Sequence, residues 1–211
     1  MDYGNMIGES FEYAKEALVG KWLKWILCII PFMTPGYAYQ VYKGTKPGPE
    51  VDDWVANFIN GIKIILVGFV YMIPVLIVGG IFLLPLFFAA LSGSSAAAWA
   101  GLGSALLGVL VCILLLIIIA VILPFALIRF ARSDSFGEAF NVGAIFGKIG
   151  QVGWGGYIIA WIALIIVMII AGIIMGIIGI IPILGWIIDV LLMVFLKIFV
   201  ARYWTQVFDS A

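Results

Sequence analysis

Residues 64–91 contain no Asp, Glu, Lys or Arg, and three further long apolar runs follow at 102–128, 152–180 and 184–203. Roughly 20 helical residues cross a hydrocarbon core of about 30 Å, so each run is long enough to span one. Only the last carries charges within it, at Asp189 and Lys197, with Arg202 at its end. Pro74, Pro85 and Pro124 fall inside the first two runs, where neighbouring helices can re-satisfy the freed carbonyls; they predict kinks rather than ends. With 65% hydrophobic and 10% charged residues, the chain is excluded from the soluble monomers. The expected fold class is an all-α integral membrane protein with four transmembrane helices.

A fifth apolar run, residues 22–42, is broken at its centre by Pro31, Pro35 and Gly36. This is turn chemistry, and the flanking pieces, 22–30 and 37–42, reach only about 10–14 Å each. A re-entrant helical hairpin suits that length. The alternative is one kinked helix and five spans in all.

Charge placement gives an orientation. Every charge except Asp189 and Lys197 falls within residues 1–24, 43–63, 129–148 and 202–211, while the connections at 92–104 and 181–187 have none. Lys and Arg mark the cytoplasmic side, so a multi-pass protein of the plasma membrane with both termini cytoplasmic is expected. The N-terminal stretch lacks a basic n-region and reads as retained. On the same side, residues 9–19, 53–63 and 136–149 show apolar residues at helical spacing and predict interfacial amphipathic helices. Gly8-Glu9-Ser10-Phe11 recurs as Gly137-Glu138-Ala139-Phe140, and each copy leads to a proline-glycine turn. One membrane domain over 1–211, built as two diverged repeats of about 1–128 and 129–211, would account for this.

Several functions are disfavoured. Zero net charge provides no field for nucleic acid. No histidine is present, and Cys28 and Cys112 sit apart in apolar runs, so neither a metal pair nor a disulfide framework is indicated. No phosphate loop, dinucleotide fingerprint, serine elbow or zinc spacing occurs. No catalytic residue, metal or cofactor is assigned, and an enzyme is not expected.

The remaining candidates are few. Asp189 and Lys197 are the intramembrane polar pair, either anchoring charges or a polar pathway; eight residues place them some 12 Å apart along the axis. Asp52 and Asp53 read as caps of the helix beginning at Trp54, and Glu9 and Glu138 as caps of their own interfacial helices. Gly172 and Gly176, extended by Gly179, form a small-residue face for helix packing, within the chain or between copies. The expected partners are the lipid bilayer and a second copy or another membrane protein. Together these readings favour a non-catalytic scaffold, assembly or accessory subunit, the alternative being a small transporter, channel or substrate-capture subunit.

Gly44-Thr45-Lys46-Pro47-Gly48-Pro49-Glu50-Val51-Asp52-Asp53-Trp54, with Phe58 and Gly61-Ile62-Lys63 after it, resembles a segment of the domain of unknown function 4013 family, small and largely archaeal polytopic membrane proteins. Here the tryptophan follows the aspartates, where the family has it before them. Phe11, Trp22-Leu23-Lys24, Gly36-Tyr37, Gly137-Glu138-Ala139 and Ile181-Pro182-Ile183-Leu184-Gly185 are similar to that family too. The resemblance implies a polytopic membrane protein and brings no activity with it.

Overall fold

A computed structural model describes residues 1–46, 48–50 and 53–211, and among these the regular structure is entirely helical. Four helices are long and apolar enough to cross a membrane: α4 (Trp54–Ser92), α5 (Ser95–Ser133), α8 (Trp154–Ile178) and α9 (Leu184–Asp209). Five shorter ones accompany them: α1 (Tyr3–Leu18), α2 (Trp22–Ile29), α3 (Met33–Tyr42), α6 (Phe136–Ala139) and α7 (Val142–Val152). The fold is that of an all-α membrane protein with four spans.

Residues 22–42 form two short helices, not one. Phe32 turns the chain with φ 72°, a left-handed conformation that a bulky side chain rarely adopts. The break is narrower than the prolines suggest: Pro35 and Gly36 already lie in the first turn of α3, where a proline's missing N–H is not needed. At about 12 Å and 15 Å, neither α2 nor α3 is long enough to cross a bilayer.

Two expected interfacial helices take other forms. The stretch 53–63 is no separate element; nothing between Lys63 and Ile64 breaks a helix, so it is the opening of α4. The stretch 136–149 is divided at Phe140 and Asn141, because the Asn141 side chain accepts from Ala144 N at 3.2 Å and starts α7 afresh. The expected charge-free connection 92–104 shortens as well, since the alanine-rich residues from Ser95 onward join α5.

The chain divides into two compact units. One holds residues 66–124, the far parts of α4 and α5. There Ser104 donates to Phe82 O at 2.9 Å, and a Cβ added at Gly108 would meet Phe82 Cβ at 2.3 Å, so the two helices pack through small residues. The other unit holds residues 1–65 and 125–211. Its core is an aromatic cluster: Phe125 packs edge-on against Tyr157 and Phe208, Trp204 lies 4.7 Å from Trp161, and Tyr203 donates to Ala160 O at 2.8 Å. The two ends of this unit are joined along α9, on which α1, α2, α3, α7 and α8 all pack.

Candidate functional site

The α2–α3 hairpin rests on α9 and encloses space beside Lys197. One cavity of about 380 Å³ lies under the turn, lined by Cys28, Pro31, Phe32, Thr34, Val190 and Lys197 among others. A second, of about 480 Å³, shares Thr34, Pro35, Met193 and Lys197 with the first and adds Met168 and Met175 of α8. Thr34 gives its hydroxyl proton to Cys28 O, which closes the turn. Burial pushes the Cys28 thiol up to about 11, so it stays a neutral apolar group. Among the described residues, the Lys197 ammonium has neither a carboxylate nor a hydrogen-bond acceptor. It is a lone cation at the mouths of two apolar spaces, each with walls of Met, Ile and Val.

Asp189 stands elsewhere. Its Oδ1 is buried without a partner, and its Oδ2 lies 3.1 Å from where a Cβ at Gly179 would be. The carboxylate therefore packs over the end of α8, and the structure does not bring Asp189 and Lys197 into one site. It does bring together Asp189 and Gly179, a pair that spacing along one helix cannot reveal. Gly172 and Gly176 face open space, with nothing within 4 Å of an added Cβ.

The capping candidates also separate. Asp53 accepts from Ala56 N at 2.9 Å at the start of α4. Asp52 lies outside the described residues. Glu9 stands inside α1, whose cap is Asp2 accepting from Asn5 N at 3.1 Å, because the helix begins six residues earlier than the apolar pattern implies. Glu138 sits in α6 and pairs with Arg129, whose hydrogen bond holds its carboxyl below the ordinary range.

Unforeseen in the sequence is the staple that holds the hairpin's base. Lys24 is 5% exposed and donates to Pro49 O at 3.0 Å, with Glu50 Oε2 at 2.8 Å. Lys21 reaches the other oxygen of Glu50 at 2.5 Å. Hydrogen bonds from Lys21 and then Lys24 hold the Glu50 carboxyl down at about 2. On α4, Asn57 is buried and ties the helix to α3, donating to Met33 O at 2.9 Å and accepting from Gln40 Nε2 at 3.1 Å. Asp134 accepts from the Tyr39 hydroxyl at 2.8 Å, which together with Lys63 lowers its pKa.

Among the described residues no three of His, Cys, Asp and Glu gather where they could hold a metal ion. The arrangement offers electrostatic and packing contacts. Neither a curated protein nor a solved structure matches the chain. The model of the family described as protein of unknown function (DUF4013) matches residues 23–180, from the hairpin through α8, and the chain belongs to that family.

Proposed function

We propose that the protein is a non-catalytic membrane subunit, a scaffold or assembly factor that acts by lateral helix association. The observation that carries this reading is the open face at Gly172 and Gly176. Where lipid tails are as apolar as leucine, helices associate through close backbone contact, and two glycines one turn apart with nothing against them suit a neighbouring helix. The connections α4–α5 and α8–α9 are only a few residues long, and the large exposed side chains of the spans are apolar, so these helix surfaces are much of what the protein presents. A second copy of the chain or another membrane protein is the proposed partner, and the plasma membrane with both termini cytoplasmic is the proposed setting.

Cross-linking and sizing in mild detergent test this. Gly172→Leu with Gly176→Leu should abolish the oligomer or the co-purifying partner and leave helicity unchanged. A wild-type protein that is monomeric and partner-free in both detergent and native membranes would overturn the reading.

A substrate-capture or transport role is the second reading, favoured by the unpaired Lys197 at two cavities under a broken hairpin. If it holds, Lys197→Gln abolishes solute flux in proteoliposomes, whereas flux that is absent or unaltered removes it.

A further inference from the structure

Arg202, near the C-terminal end of α9, is 3% exposed. Its guanidinium lies over the Tyr13 ring, 5.0 Å from the centroid, which covers one face and satisfies no N–H. Among the described residues it makes no hydrogen bond and no ion pair, and its Nε is fully buried without an acceptor. Arginine cannot escape this by losing its proton. A buried guanidinium that has Glu9 and Asp209 near it but no acceptor within hydrogen-bond reach is costly, so a group that supplies one is called for.

Arg202 lines an open cleft of about 350 Å³, together with Asp2, Glu9, Lys46, Gln206 and Asp209. Lys46 lies 3.7 Å from Glu9, and Asp209 is engaged at 2.7 Å by Arg132. A simple anion drawn to Arg202 would meet three carboxylates. A ligand that carries an oxyanion and, a few bonds away, an ammonium would satisfy both sides. Along α9 this cleft lies where the apolar stretch gives way to Arg202, Gln206 and Asp209, the level at which a spanning helix meets headgroups.

We infer that the cleft binds the phosphate–ammonium unit of a zwitterionic headgroup, with the phosphate on Arg202 and the ammonium among Asp2, Glu9 and Asp209. Tyr13 lies against the guanidinium, whose donors form a planar fork that matches phosphate oxygens. A primary ammonium can donate to the carboxylates, which a trimethylated one cannot. The site therefore favours phosphoethanolamine over phosphocholine, and either over an anionic headgroup with no cation.

Native mass spectrometry of the full-length protein in mild detergent tests this, titrated separately with phosphatidylethanolamine, phosphatidylcholine and phosphatidylglycerol. Phosphatidylethanolamine should bind most tightly, and Arg202→Gln should weaken it about tenfold or more, the scale of a lost charge-assisted contact. Lys15→Gln, away from the cleft, should change nothing. Glu9→Gln, on an exposed residue that folding does not require, should erase the preference for ethanolamine over choline even if Arg202→Gln folds poorly. Glycerophosphoethanolamine distinguishes the source: competition by this soluble headgroup alone, without lipid binding, assigns the same site to a free metabolite. Equal binding of all three lipids together with no binding of the soluble headgroup, or a Glu9→Gln protein with unaltered selectivity, would overturn the inference.

Discussion

Gly36 and Gly61 let two helices touch backbone to backbone. A Cβ at Gly36 would stand 1.8 Å from Asn57 O, and one at Gly61 would stand 1.7 Å from Phe32 O. The start of α4 is thereby pressed against α3 and its turn, where Asn57 supplies the polar link. Gly36→Ala or Gly61→Ala should each destabilise the protein by about 1–3 kcal/mol or more, because a backbone carbonyl cannot swing aside as a side chain can. Thermal unfolding in detergent checks this, with Gly147→Ala, which meets nothing within 4 Å, as the control expected to melt like wild type. Little of this was legible in the sequence. Gly36 reads there as turn chemistry and Gly61 as part of a family-like segment, since what each glycine faces is set by a residue about 20 or more positions away. Arg202 was obscured similarly, being one of several charges at the end of an apolar run until the fold placed Tyr13 over it.

At the scale of elements, the number and order of the spanning helices follow from the hydrophobic pattern, and their lengths and ends do not. Pattern reading stops a helix where apolar residues stop, yet α4 begins ten residues before the apolar run and α5 continues to Ser133, because polar residues without proline keep a helix going and the single Gly61 in the added stretch of α4 does not end it. The hairpin was legible as a break in an apolar run. Its anchoring by Lys21, Lys24 and Glu50 was not, as the lysines and the glutamate lie on opposite sides of α3 in sequence. That staple has a pH signature. The Glu50 carboxyl is held near 2 in the folded protein against an ordinary 4.5, so its contribution is full above pH 4.5 and is lost as pH falls towards 2. The wild type should therefore melt above Glu50→Gln at neutral pH, with the gap closing across that window. Glu50 is half exposed, so the gap should be modest and should shrink in high salt.

Across the whole molecule, charge is distributed to one set of connections and withheld from the other, and this pattern was legible from the sequence alone. It predicts an even number of crossings. In a background with Cys28→Ala and Cys112→Ala, a cysteine at Ser94 should label from outside intact cells with an impermeant maleimide, while cysteines at Ser135 and Ser210 should label only after permeabilisation. Labelling of Ser94 and Ser135 from the same side would contradict the four-crossing reading.

The unbroken charge-free part of α4, residues 64–91, has a consequence of its own. At 1.5 Å per residue it is roughly 42 Å of apolar helix, and a bilayer's hydrocarbon core is about 30 Å. The surplus must be absorbed by tilting well beyond the usual 20°, by kinking at Pro74 or Pro85, or by drawing the surrounding lipid thicker, at a cost of fractions of a kcal/mol per Å. The strain on this helix is then set by the acyl chains around it. Bilayer thickness becomes a variable to which the protein is mechanically coupled.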